Sequence, residues 1–272
     1  MNNREFLFCV DSEGCVIDGM TIKHLECFGP CLVEEWGLES KATEILDFWN
    51  KLNLYSVTRG INRFKGLLIT LEHINSENYL DINTKVLREW IETNKELSNS
   101  SLKNAIEMNY DEVLKKSLSW SEKVNLKVKD LSESKKKPFW GVEEILEKIS
   151  RFADIAVLSS ANLKAVEDEW SDNNLLKNVK YFMTQEKGNK AECIKKLLDL
   201  GYTKEKTVMV GDAPGDIQAA KDVGVLYYPI IPEKEIGSWN RMERVVFGKF
   251  LKGNFTNVLI EKYEEQFEES LK

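Results

Sequence analysis

The sequence predicts an α/β protein: a parallel sheet with a helical domain inserted after its first strand. Three observations point there. The apolar run Phe6-Leu7-Phe8-Cys9-Val10 ends on an acid, Asp11, as a strand buried on both faces does at the C-terminal edge of a sheet. A long stretch of purely helical periodicity follows it. From about residue 138 onward, apolar runs alternate with helical segments, the rhythm of a parallel sheet with crossover helices. Open sheets of this kind bind ligands at the carboxyl ends of their strands, where Asp11 and Glu13 would emerge.

Bulk properties narrow the class. At 272 residues, 42% hydrophobic and 31% charged, the chain suits a soluble globular protein of one large or two ordinary domains. A net charge of −7 argues against nucleic acid or an anionic membrane as partner. No apolar run reaches membrane-spanning length, and the N-terminal residues lack a signal-peptide pattern. Five cysteines, an odd number without framework spacing, fit free thiols in a reducing compartment. The expected location is cytoplasmic, and the expected assembly is a monomer or small homo-oligomer.

Along the chain, Thr21 caps a predicted helix running to about Glu35, with Pro30 expected to kink or break it. A second helix starts near Ser40. The basic, Gly-containing segment Arg59-Gly60-Ile61-Asn62-Arg63 reads as a loop. Helices are predicted over 64–75, 83–97, 101–107 and 110–119, with no strand-like alternation anywhere in the block. The polar run from Asp130 to Lys137, closing on Pro138, reads as a linker. Strands are then predicted at 154–159, 179–183, 207–212 and 225–230, separated by helices at 141–151, 162–172, 188–200 and 215–222, with Gly201 as a C-cap. Residues from 237 on read as two helices packed on the outside. The domains follow: 1–18 with 137–272 as the α/β core, including extra C-terminal helices at 237–272, and 19–136 as a helical insertion placed like a lid. The seven tryptophans, Trp49, Trp90 and Trp140 among them, are expected to be packing residues.

The strand ends collect a specific set of side chains. Asp11 and Glu13 follow the first strand, Ser159 and Ser160 the second. Lys187 and Lys190 open a helix, and Asp212 and Asp216 lie in Gly211-Asp212-Ala213-Pro214-Gly215-Asp216. Three or four carboxylates gathered in one place repel unless a cation sits among them, and hard oxygen donors suit Mg²⁺. A Mg²⁺ site beside a lysine and a hydroxyl suits a phosphoryl group. Asp11 can then attack phosphorus, and an acid two residues on can protonate the leaving oxygen and later activate water.

Asp11-Ser12-Glu13-Gly14, Val157-Leu158-Ser159, a lysine before a helix, and Gly211 to Asp216 with the following Ala219-Ala220 and Gly224 together resemble the four motifs of the haloacid dehalogenase (HAD) superfamily. The resemblance covers roughly 1–18 and 138–235. It implies a Rossmann-like core, Mg²⁺ as cofactor and Asp11 as nucleophile and metal ligand. It further implies Glu13 as acid/base with its backbone carbonyl on the metal, Asp212 as metal ligand, Asp216 as supporting acid, and Ser159 as the group holding the phosphoryl. The helical insertion is similar to caps placed after the first motif. Its Arg59–Arg63 segment is similar to a basic loop in β-phosphoglucomutase-like members that reaches the substrate's distal group. Arg63, with Arg59 or Lys65 assisting, and His24, with Lys23 as rival, would then be substrate-binding.

Two features depart from the family pattern. The second acid, usually Asp, is Glu13 here; its extra methylene displaces the carboxylate by about a bond length, and misplacement of that order costs roughly 10²-fold in rate. Spacing to Asp212 permits either Lys187 or Lys190 as the motif lysine, with a lean to Lys187. The reading is a Mg²⁺-dependent phosphatase acting on a small phosphorylated metabolite through an aspartyl-phosphate. The alternatives are a sugar phosphomutase, or a protein that binds a phosphorylated ligand without turnover because of Glu13. His24, Cys27 and Cys31 at helical spacing have no fourth zinc ligand in sight and read as cap core.

Overall fold

The computed structural model describes residues 3–131 and 136–272. In chain order its elements are β1 (Phe6–Asp11), β2 (Ile17–Asp18), α1 (Met20–Lys23), a π-turn (His24–Phe28), α2 (Gly29–Trp36), α3 (Ala42–Leu54), α4 (Arg63–Ser76), α5 (Lys85–Thr93), α6 (Asn99–Met108) and α7 (Glu112–Asp130). There follow β3 (Lys137–Pro138), α8 (Val142–Ser150), β4 (Ala153–Leu158), α9 (Leu163–Asp172), β5 (Tyr181–Met183), α10 (Lys190–Leu198), β6 (Thr207–Gly211), α11 (Pro214–Val223), β7 (Leu226–Pro229), α12 (Glu235–Arg241), a second π-turn (Met242–Val246), α13 (Phe247–Leu251) and α14 (Asn257–Ser270). The chain divides into two compact units, Met1–Met20 with Glu133–Lys272, and Thr21–Ser132.

The first unit is built on a five-stranded sheet in the order β5-β4-β1-β6-β7, with every pairing parallel. β1 is central: Phe6 pairs with Ala153 on one side and Leu7 with Thr207 on the other. A central strand covered by helices on both faces has no solvent side, which is why Leu7, Phe8, Cys9 and Val10 are all apolar and fully buried. Each such large side chain contributes about 1.5–3 kcal/mol by leaving water. The α/β fold with a parallel sheet is therefore as the alternation predicts.

Several details differ from the sequence expectation. β2 and β3 form a two-stranded antiparallel ribbon, with Ile17 opposite Pro138, so the end of the expected linker is a strand. A two-residue strand has too short a period to be read from sequence. The rest of that expectation, at 132–135, lies outside the described residues. α10 ends at Leu198 with Asp199 as its C-cap, so Gly201, at φ +103°, turns the chain after the helix rather than capping it. The segment after β7 is not two outer helices. It starts at Glu235, holds three helices and a π-turn, and contributes Trp239, Met242, Val246, Phe250 and Phe267 to the main core.

The second unit is helical throughout, with no strand among its described residues. Its core gathers around Trp49 and Trp120, whose rings meet edge to face at 5.8 Å, and includes Phe64, Leu67 and Leu71. Residues Met20–Trp36 run on helically through the π-turn, and Pro30 stands in the first turn of α2 directly after it, so the regular i→i−4 ladder changes where the proline lacks an N–H. Trp49 and Trp90 are buried as expected, whereas Trp140, in the first unit, is 77% exposed and packs into no core. Among the described residues no helix is long and apolar enough to cross a membrane.

Candidate active site

The C-terminal edge of the first unit's sheet is acidic because two neighbouring strands, β1 and β6, both run directly into aspartates. Asp11 is the last residue of β1, and Asp212 follows the last residue of β6. Asp216 joins them from the first turn of α11, where its Oδ2 accepts the Ala213 backbone N–H at 3.1 Å, as a helix-start carboxylate does. Pro214 presets the backbone at the start of that helix. Gly211 is required for space, since a Cβ there would overlap the Asp216 carboxylate. Oxygens of Asp11, Asp212 and Asp216 lie within 4.8 Å of one another, and all three residues are buried.

The cluster is met by a buried ammonium. Lys190 Nζ is 3.0 Å from Asp11 Oδ2 and also contacts Asp216 Oδ1. A capping box fixes it there: the Asn189 side chain accepts the Glu192 N–H and the Glu192 carboxylate accepts the Asn189 N–H, placing Lys190 as the first residue of α10. Burial pushes the Asp11 carboxyl well up; Lys190 opposes that, and Asp216 and Asp212 reinforce it. Burial would lower the Lys190 ammonium, but Asp11 and Asp216 overcome it and hold the ammonium charged far above its ordinary range. Three buried carboxylates this close repel one another, and Lys190 offsets part of that repulsion. An all-oxygen, carboxylate-rich donor set of this kind fits a hard divalent cation such as Mg²⁺.

Ser159 is buried just past β4; its backbone N–H bonds to Met183 O at 3.0 Å and its Oγ accepts the Ala161 N–H at 3.2 Å. Ser160 beside it is exposed. Glu13 is half-buried on the turn after β1, bridged to Ile17, with Gly14 next to it at φ +80°. Lys187 does not join the carboxylates: its Nζ donates to Phe182 O at 2.6 Å. The lean to Lys187 is thus corrected, because the capping box sets Lys190 and not Lys187 at the helix start.

His24, Arg59 and Arg63 belong to the helical unit, where each takes part in its internal structure. His24 Nδ1 accepts the Trp49 indole N–H at 3.0 Å, and its ring stacks on Phe28 at 4.8 Å. The Arg59 side chain is buried and donates to Leu54 O at 2.7 Å. Arg63 donates to Ser121 Oγ at 3.0 Å and Asn125 Oδ1 at 2.7 Å, over the face of Phe28. The Arg59–Arg63 segment turns at Gly60, φ +72°, and Asn62 caps α4 by accepting the Phe64 N–H.

Sequence reasoning gave no part to Ser12, whose N–H donates to Asp11 Oδ1 at 2.8 Å. It also passed over Trp170 and Trp239, whose indoles reach the same turn. Only the buried strand-end position marked Ser12, and nothing in the sequence separates these tryptophans from ordinary core residues.

Comparison with known proteins bears on the fold and the family. No curated protein sequence matches the chain. Among solved structures, a candidate phosphoglycolate phosphatase from Lactobacillus delbrueckii subsp. bulgaricus is similar at a TM-score of 0.52 and 13% identity, over 98% of this chain and 98% of that one. A haloacid dehalogenase-like family hydrolase from Xanthomonas campestris is similar at 0.52 and 10% identity, over 93% and 95%. At these identities the likeness speaks for the fold. A sequence profile described as haloacid dehalogenase-like hydrolase matches residues 61–229, more than half of the chain. That span holds Ser159, Lys190, Asp212 and Asp216, while Asp11 is brought to them by the pairing of β1 between β4 and β6. The chain therefore belongs to the haloacid dehalogenase-like hydrolases.

Proposed function

We propose that this hydrolase is a Mg²⁺-dependent phosphatase acting on a small phosphorylated metabolite, with Asp11 as its nucleophile. The observation that carries the reading is the buried trio Asp11, Asp212 and Asp216 with the Lys190 ammonium set against two of its members. Such a site is built for a substrate group that brings dense negative charge and needs positive charge to approach a carboxylate. Among the solved structures of like fold, the Lactobacillus delbrueckii protein carries a phosphatase description, which agrees with this reading.

In the first step a carboxylate oxygen of Asp11 forms a bond to phosphorus as the ester P–O bond breaks. Glu13, protonated, gives its proton to the departing oxygen. In the second step water attacks phosphorus, Glu13 takes the water's proton, and the bond to Asp11 breaks to release inorganic phosphate. Lys190 neutralises the phosphoryl oxygens and opposes the burial that favours the protonated form of Asp11. The Ser159 hydroxyl donates to one of those oxygens, and the Ser12 N–H orients Asp11 Oδ1. Asp11, Asp212 and Asp216 would hold Mg²⁺, which supplies further charge neutralisation at the phosphoryl group when bound.

The test is phosphate release from a panel of phosphorylated metabolites. Wild type is expected to release phosphate with Mg²⁺ and not with a chelator, and Asp11→Asn is expected to release none. Turnover that survives in Asp11→Asn would remove Asp11 from the reaction and overturn the reading.

A further inference from the structure

The turn between β1 and β2 carries the nucleophile at its start and the proposed acid/base two residues on, so its rigidity sets how well the two are placed. Hydrogen bonds within the turn close it locally: Val16 N–H and Ile17 N–H both donate to Ser12 O, at 2.9 and 2.8 Å, and Gly14 N–H donates to Ile17 O at 2.9 Å. Two further bonds come from far away in sequence. The Trp170 indole N–H donates to Ser12 Oγ at 2.8 Å, across 158 residues. The Trp239 indole N–H donates to Cys15 O at 2.7 Å, across 224 residues.

Both tryptophans are fully buried. An indole fixed by packing on every side is a stiff donor, since its N–H direction cannot change without moving the ring. They approach from different parts of the fold: Trp170 lies in α9, between β4 and β5, and Trp239 in α12, beyond β7. Trp170 packs edge to face on Phe182, and Trp239 lies against Phe8 of β1 itself. The first tie passes directly to the nucleophile, because Ser12 takes the indole N–H on its hydroxyl and gives its own backbone N–H to Asp11 Oδ1. The second fixes the carbonyl of Cys15, whose thiol is 3.7 Å from Val210 O on the neighbouring strand β6.

We propose that Trp170 and Trp239 are positioning residues that clamp the nucleophile turn through their indole N–H groups, so that the helical segment after β7, outside the family-matched span, is part of the catalytic apparatus. The kinetic part of this inference rests on the phosphatase reading; the clamp itself does not.

The experiment combines hydrogen exchange with kinetics on the full chain. Trp170→Phe and Trp239→Phe keep a ring in the core and delete the donor. In each, the peptide spanning 9–20 is expected to exchange faster, while peptides from β4 and β6 keep wild-type protection. On any phosphate ester that the wild type turns over, kcat is expected to fall about 10- to 100-fold with KM nearly unchanged, the mark of misplaced reacting groups. Ser12→Ala removes the acceptor of the Trp170 tie while both indoles stay packed. It is expected to give the same local loss of protection, which keeps the inference testable if a tryptophan variant does not fold. Exchange that is unchanged at 9–20, or raised equally across the sheet, would overturn the clamp. If wild type releases no phosphate but the local loss of protection appears, the clamp stands and the phosphatase reading fails.

Discussion

Glu13 is the residue at which chemistry and family pattern part. Its carboxylate hangs on one methylene more than the usual aspartate, on a turn that Gly14 and the bonds to Ser12 O hold closed. If it serves as the acid and base, Glu13→Gln should lower kcat by about 10²–10⁴-fold on alkyl phosphates. In kcat/KM, which reports the first step alone, the loss should be far smaller on aryl phosphates, whose leaving oxygen departs without a proton; a steady-state comparison of kcat/KM for the two ester classes checks this, and equal losses would remove the acid role from Glu13. The acids of the site were legible because apolar strands that end in Asp announce themselves. The lysine was not: Lys187 and Lys190 are equally spaced candidates, and what separates them is the pair of reciprocal bonds between Asn189 and Glu192. Nor were Trp170 and Trp239, because a tryptophan in a core looks the same in sequence whether or not its N–H holds something.

Elements were legible where their burial is two-sided or their face is long. β1, β4 and β6 are near-continuous apolar runs and stand close to their predicted places, whereas β2 and β3 owe their existence to each other. His24, expected from the family resemblance to bind substrate, opens a π-turn, the form an α-helix takes when it carries one residue too many. At the opposite strand ends, Asp154 ties elements together. It accepts from Lys180 Nζ at 2.7 Å, Tyr202 OH at 2.6 Å and the Arg4 backbone N–H at 2.7 Å, joining β4 to β5, to the segment before β6 and to the approach to β1. Burial alone would raise its pKa, but Lys180, Tyr202 and Arg4 hold it below the ordinary carboxylate range. A depressed folded-state pKa stabilises above the unfolded value, near 3.9, and that stability is lost as pH falls through the folded value. Asp154→Asn should therefore destabilise by about 1.5–3 kcal/mol at pH 7. In urea unfolding the difference from wild type should shrink once the pH drops below about 4; a difference that persists at acid pH would show that the charge is not its source.

For the molecule as a whole, the carboxylate cluster couples folding to metal. With no metal bound, Asp11, Asp212 and Asp216 repel one another inside the first unit, Lys190 offsetting only part of this, so Asp212→Asn should lose little stability relative to wild type in a chelator. With Mg²⁺ at a hundred times its dissociation constant, wild type should gain about 2.7 kcal/mol, and the variant clearly less. Chemical unfolding with and without Mg²⁺ decides it, and an equal gain in both would exclude Asp212 as a ligand. The same architecture has a consequence for how the chain is made. β1, the central strand, leaves the ribosome first among the strands, yet its partner residue Ala153 is 147 positions behind Phe6 and the β6 partners come later still. At ordinary elongation rates both edges of this strand, apolar from Phe6 to Val10, stay open for about 7–30 s, while the helical unit, complete in sequence by then, can fold on its own core. The turn that holds Asp11 receives its last tie only when Trp239 has emerged. The nucleophile turn is thus completed by residues made long after it, and until β4 and β6 emerge the apolar strand beside it is a segment for a chaperone to cover.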